Sequence, residues 1–68
     1  MDKFAERLKA LRLDRNLSQV QLAFDTKISH SAIAYWEKCE RQPNAQAIIT
    51  LAKYFNVSAD YLLGLKDD

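Results

Sequence analysis

Apolar positions along the chain recur at helical spacing, in five short runs set apart by polar punctuation. Phe4, Leu8 and Leu11 fall at i, i+4 and i+7, one face of a first helix that Asp2 is placed to cap. Asn16 tolerates the left-handed conformation that ends a helix, so this element is expected to stop near Arg15. Ser18 followed three residues later by Gln21 is a capping box, and Leu17 can staple onto Leu22. The second helix then runs to about Phe24 or Asp25, and a turn follows at Thr26, Lys27 and Ile28. Ser29 caps a third helix, with Ile28 and Ile33 as its staple; it buries Ile33 and Trp36 and ends near Lys38. Cys39 to Pro43 reads as a polar loop. Asn44 opens a fourth helix carrying Ile48, Leu51, Ala52 and Phe55, and Asn56 is its stop. Ser58 caps a fifth helix, Val57 and Leu62 form a third staple, and Gly64 closes it. No segment alternates at period two over the length of a strand. The chain reads as all-α, a compact five-helix domain.

Size and composition narrow what such a domain can do. With 68 residues there is room for one domain, 1–68, and one core. A chain this short buries only roughly 60% of the surface its unfolded form exposes, so stability rests on well-packed helices or on a partner subunit. The single cysteine, Cys39, cannot form an internal disulfide, and with one histidine it cannot fill a four-ligand zinc site; no metal is expected. A single glycine, Gly64, leaves no phosphate-cradling loop, and no cofactor is expected. No apolar run approaches the ~20 residues that cross a bilayer, and Met1, Asp2, Lys3 and Phe4 do not begin a signal-peptide core, so a cytoplasmic protein without membrane contact is expected. His30 has no acid placed to orient it and Cys39 lies in a turn, so the chain reads as a non-enzyme. No sensor segment or effector pocket is visible. The formal net charge is only +1, yet residues 1–41 carry eight basic side chains against six acidic ones. What matters for an anionic partner is where those charges sit.

The informative stretch runs from Gln19 to Glu37. Two short helices joined by a tight turn make a helix-turn-helix arrangement, and Leu22, Ala23, Ile28, Ile33 and Trp36 supply the apolar set that lets the pair cross steeply. Any two-helix corner would want a similar set. The polar complement is more telling. Outward positions of helix three are His30, Ser31, Ala34 and Tyr35, with Ser29 at its edge, and no Lys or Glu stands between Ile28 and Trp36. A merely solvated face carries such charges. An uncharged donor and acceptor face flanked by Lys27, Lys38 and Arg41 fits a helix that reads base edges while its flanks hold phosphates.

The runs Leu17-Ser18-Gln19-Val20-Gln21-Leu22-Ala23, Ile28-Ser29-His30-Ser31-Ala32-Ile33, Trp36-Glu37 and Arg41-Gln42-Pro43-Asn44 resemble the lambdoid-phage repressor/Cro type of helix-turn-helix, the XRE family. Val57 to Gly64 resembles that family's C-terminal helix, so the likeness spans essentially the whole chain. It implies a five-helix DNA-binding domain of a transcription regulator, most often a repressor, acting as a homodimer on a palindromic double-stranded operator and so associated with the nucleoid. Gln19 matches a position that contacts a backbone phosphate. Ser29, His30, Ser31 and Tyr35 match base-reading positions, and Lys38, Arg41 and Asn44 match phosphate-holding ones. Arg12 and Glu37 match a structural ion pair between helix one and the end of helix three. The chain departs from the family at Lys27 and Cys39, where glycine is common; if both adopt a positive φ, each carries a modest strain that glycine would avoid.

Three function classes remain open on sequence alone: a sequence-specific regulator, an antitoxin or other protein-interaction module on the same fold, and an isolated domain of a larger protein. Tyr61, Leu63 and Leu65 are the residues expected at a homodimer interface, with formation in solution and formation only on DNA both left open; Leu62 is committed to the core staple.

Overall fold

The computed structural model describes residues 2–67, without the side chain of Asp2, so the cap expected from Asp2 lies outside the described residues. Five helices follow one another: α1 (Asp2–Asp14), α2 (Gln19–Thr26), α3 (His30–Glu37), α4 (Ala45–Phe55) and α5 (Ala59–Leu63), with no strand among the described residues. The punctuation acts as its chemistry dictates. The Ser18 hydroxyl accepts from the Gln21 N–H at 3.0 Å while the Ser18 N–H donates to Gln21 Oε1 at 2.9 Å, a complete capping box. Ser29, Asn44 and Ser58 cap α3, α4 and α5 by accepting from the N–H groups of Ala32, Ala47 and Tyr61.

The breaks between helices are left-handed residues: Asn16 at φ 57°, Lys27 at 62°, Cys39 at 61°, Asn56 at 56° and Gly64 at 83°. Asparagine and glycine take this conformation readily. Lys27 and Cys39 do so at a cost of about 1 kcal/mol each. The expected end of α2 is corrected by one residue. The helix continues through Thr26, whose hydroxyl donates back to the Leu22 carbonyl at 2.7 Å, and Lys27 then turns the chain.

Phe4, Leu8, Leu22, Ile33, Trp36, Leu51, Phe55 and Leu62 form one buried cluster with Ala47 and Ala52. Each large aliphatic side chain buried here contributes about 1.5–3 kcal/mol. The Phe4 and Trp36 rings meet edge to face, centroids 6.0 Å apart at 70°, which fixes α3 against α1. Ile48, expected inside this cluster, packs on its margin and is only partly buried. Ala47, 8% exposed, takes the inner position. Leu17, Ile28 and Val57 also pack against the cluster, each beside its staple partner.

Two arginines fasten the periphery. Arg15 donates to the Tyr54 and Phe55 carbonyls at 3.1 and 3.2 Å, satisfying two orphan acceptors at the end of α4, and lies 5.1 Å from the Phe55 ring centroid. Arg7 donates to the Tyr61 and Lys66 carbonyls and pairs with Asp67 at 3.3 Å, drawing the tail after α5 onto α1. None of the helices described is long and apolar enough to cross a membrane.

Candidate nucleic-acid interface

The α2–α3 corner owes its geometry to three adjacent local choices. Lys27 in the left-handed region stops α2, Ile28 plugs into the cluster, and Ser29 restarts the chain as α3. This places the first turns of α2 and α3 beside one another. His30, Ser31, Ala34, Tyr35 and Lys38 then lie within one arc of α3, and Ile33 and Trp36 face the core. Ser29, His30, Ser31 and Tyr35 are all exposed. Ser29 spends its hydroxyl oxygen on the Ala32 N–H at 3.2 Å, which leaves the O–H as a donor.

Tyr35 is 37% exposed and is not a bare ring. The Arg41 guanidinium carbon lies 4.4 Å from its centroid, a stacking that joins the loop after α3 to the exposed face of α3. Ser29, Ser31, Tyr35, Arg41, Gln42 and Asn44 line one open cleft of about 270 Å³. Asn44 uses Oδ1 to cap α4, accepting from Ala47 N–H at 2.8 Å, and keeps its NH₂ for an anion at the α4 N-terminus. An adjoining cleft of about 370 Å³ is bounded by Lys27, Asn44, Gln46 and Thr50. Lys27 lies over the Phe24 ring at 5.3 Å, and Lys38 is exposed at the end of α3. Of the expected base-reading and phosphate-holding side chains, the first cleft brings together Ser29, Ser31, Tyr35, Arg41 and Asn44, the second adds Lys27 beside Asn44, Gln19 and His30 meet each other at the start of α2 and α3, and Lys38 lines neither cleft.

Arg12 and Glu37 make the expected pair, in bidentate form: Nε to Oε2 at 2.7 Å and Nη2 to Oε1 at 2.9 Å. Arg12 is 8% exposed, and its remaining amino group donates to the Leu17 carbonyl at 2.8 Å. Hydrogen bonding to Glu37 raises the guanidinium above its ordinary value, against the desolvation that would lower it. One pair thus ties α1, the α1–α2 turn and the end of α3 together.

Sequence reasoning did not find what Glu37 does next. Gln19 Nε2 donates to Glu37 Oε1 at 3.1 Å, and Gln19 Oε1 lies 3.2 Å from His30 Nε2. The available signal was positional: Gln19 and His30 each open a helix, and a tight turn brings two helix starts together. The Arg41–Tyr35 stack and the place of Gln42 in the cleft had no such signal. Of the residues expected at a dimer interface, Tyr61 is engaged within the chain, its ring 4.2 Å from the Arg7 guanidinium. Leu63 is partly covered, and Leu65 is 72% exposed.

A helix-turn-helix family model matches residues 8–62, from the middle of α1 into α5. Over 61 residues the chain is 39% identical to the HTH-type transcriptional activator BcrR of Enterococcus faecalis, covering 90% of this chain and 30% of that one. It is 35% identical to the uncharacterized HTH-type transcriptional regulator YobD of Bacillus subtilis (strain 168), over 96% of this chain and 58% of the relative. Repressor protein C2 of Salmonella phage P22 is 36% identical over 85% of this chain and 27% of its own length. The chain thus spans less than two thirds of each of these relatives. With the capped helix pair α2 and α3, the left-handed turn between them and all of α4 inside the matched segment, the chain belongs to the helix-turn-helix family.

Proposed function

We propose that residues 1–68 form a single double-stranded-DNA-binding domain of a transcription regulator, with α3 lying in the major groove of an operator half-site. The observation that carries this reading is the uncharged face of Ser29, His30, Ser31 and Tyr35, bordered by the Arg41 stack, Lys38 and the α4 N-terminus. Short donors and acceptors read base edges; the cations and helix starts around them hold phosphates. Gln19 joins the phosphate group through its second Nε2 hydrogen and its own backbone N–H, which has no intrahelical acceptor in the first turn. Lys27 lies beside Asn44 at the rim and contributes charge. The likeness to a named activator and a named repressor supports regulation of transcription. Repression is the direction proposed, since occlusion of a promoter requires site occupancy alone. The reaction-free chemistry of the face makes this a binding module rather than an enzyme, acting in the cytoplasm at the nucleoid.

Selection of bound DNA from a random pool tests the reading, and a palindrome with half-sites one turn apart is the expected product. Against that site, His30→Ala and Tyr35→Ala should each cost ~1–3 kcal/mol while binding to random DNA barely changes. Lys38→Ala and Arg41→Ala should weaken both and flatten the salt dependence by about one unit each. Equal losses on operator and random DNA for His30→Ala and Tyr35→Ala would remove α3 as the reading element.

A further inference from the structure

Glu37 accepts three hydrogen bonds, two from Arg12 at 2.7 and 2.9 Å and one from Gln19 at 3.1 Å. A carboxylate paired to a guanidinium has no hydrogen to give. The Gln19 amide must therefore turn its NH₂ toward Glu37; the opposite orientation would set two acceptor oxygens about 3 Å apart. That leaves Gln19 Oε1 facing His30 Nε2 at 3.2 Å. An amide oxygen only accepts, so the hydrogen in this contact belongs to the imidazole. In a neutral ring the other nitrogen, Nδ1, is then a bare acceptor.

We propose that the chain Arg12–Glu37–Gln19–His30 holds the neutral His30 ring in its Nε2–H form and thereby makes that form of the ring an acceptor-only reader of DNA. This rests on the assignment of His30 to the base-reading face. The two classes of base edge follow from groove chemistry. Adenine N6 and cytosine N4 offer a major-groove hydrogen to Nδ1, whereas guanine O6 and N7 and thymine O4 present another lone pair to it. At the position facing His30 the operator carries adenine or cytosine. Gln19 and Glu37 are positioning residues in this scheme, because they set which hydrogen the ring presents without supplying one themselves. The Gln19 backbone N–H stays available for phosphate, so a single residue serves register and base choice together.

Nitrogen-15 spectra of the imidazole in the free protein, recorded with the ring neutral, test the lock without DNA. The wild type should show the Nε2–H form alone, and Gln19→Ala, at a surface position, should admit a clear Nδ1–H population. A wild-type ring in the Nδ1–H form, or a tautomer ratio that Gln19→Ala leaves unchanged, overturns the lock. Selection of DNA tests the consequence. The wild type should favour adenine or cytosine at one position by about tenfold, and Gln19→Ala should reduce that to about twofold. Guanine or thymine selected there overturns the acceptor assignment. His30→Ala with base preferences unchanged at every position overturns His30 as a reader, and the spectra of the free protein judge the lock separately.

Discussion

Gly64 sits at the one place where a side chain is excluded twice over. Its φ of 83° lies in the left-handed region, and a Cβ built there runs into Cβ and Cγ of Lys3 on α1. Those atoms are next to the α1 backbone and cannot swing aside as the end of a lysine could. Gly64→Ala should therefore cost about 2–3 kcal/mol, read as a lower denaturant midpoint at constant slope. An unchanged midpoint would mean the tail after α5 repacks freely. A second single-residue effect is electrostatic. The Tyr54 hydroxyl donates to Asp25 at 2.6 Å, and this hydrogen bond, reinforced by lost solvent and the Asp25 charge, raises the phenol above its ordinary value of about 10. Arg15 acts in the opposite direction. A folded value above the unfolded one means the contact stabilises the protein below the unfolded value, and that contribution disappears as pH rises through the folded value. Titration followed by tyrosinate absorbance should show a late phenol for Tyr54 in the wild type, which moves to lower pH in Asp25→Asn. An unmoved curve would assign the late phenol elsewhere.

Helices were legible where their signals are local. Ser18, Ser29, Asn44 and Ser58 cap the helices expected of them because a cap needs only a residue and the N–H two or three places on. The exchange of Ile48 for Ala47 in the core was not legible, since helical periodicity defines a face but not how closely a neighbour approaches it. The site divides along the same line. The uncharged face of α3 could be read from residue types, while Gln19 against His30 and Arg41 over Tyr35 depend on where separate segments meet. The Arg12–Glu37 pair lies between, visible through family resemblance and not through spacing. It joins elements that no local signal connects, and it is nearly dry: the side chains are 10% and 4% exposed. Arg12→Ala or Glu37→Ala alone should each cost about 3–5 kcal/mol, because each strands a buried charge and loosens α3 from α1. The double variant Arg12→Met with Glu37→Leu should be more stable than either alanine variant in chemical denaturation. A double variant no better than the singles would show that the pair contributes more than mutual neutralisation.

At the scale of the whole molecule, the geometry of DNA sets the terms of association. One recognition helix reads only ~4–6 base pairs, too few to pick a site from a genome, whereas two half-sites multiply the discrimination. Half-site centres lie about 34 Å apart on one face of the duplex. The protein extends 27 × 23 × 20 Å, so two copies seated at that spacing meet through side chains at their edges and not through a broad face. We therefore propose an interface that is small and weak in solution and gains its strength from two copies held on the same operator. Large apolar side chains are exposed at Leu13, Val20, Phe24 and Ile49 as well as at Leu65, and of these we propose Leu65, 72% exposed beyond α5, for the contact, together with the partly covered Leu63; Tyr61 is already engaged with Arg7. Sedimentation should therefore find a monomer in the free protein and two chains on each complete operator. Leu65→Lys, with Leu63→Lys as its companion, should lower cooperativity between half-sites about tenfold, roughly 1.4 kcal/mol. Affinity for an isolated half-site should stay unchanged, because neither leucine lines the cleft between α3 and α4. One chain per complete operator would end the dimer reading, and full cooperativity in the double lysine variant would move the interface to another edge of the molecule.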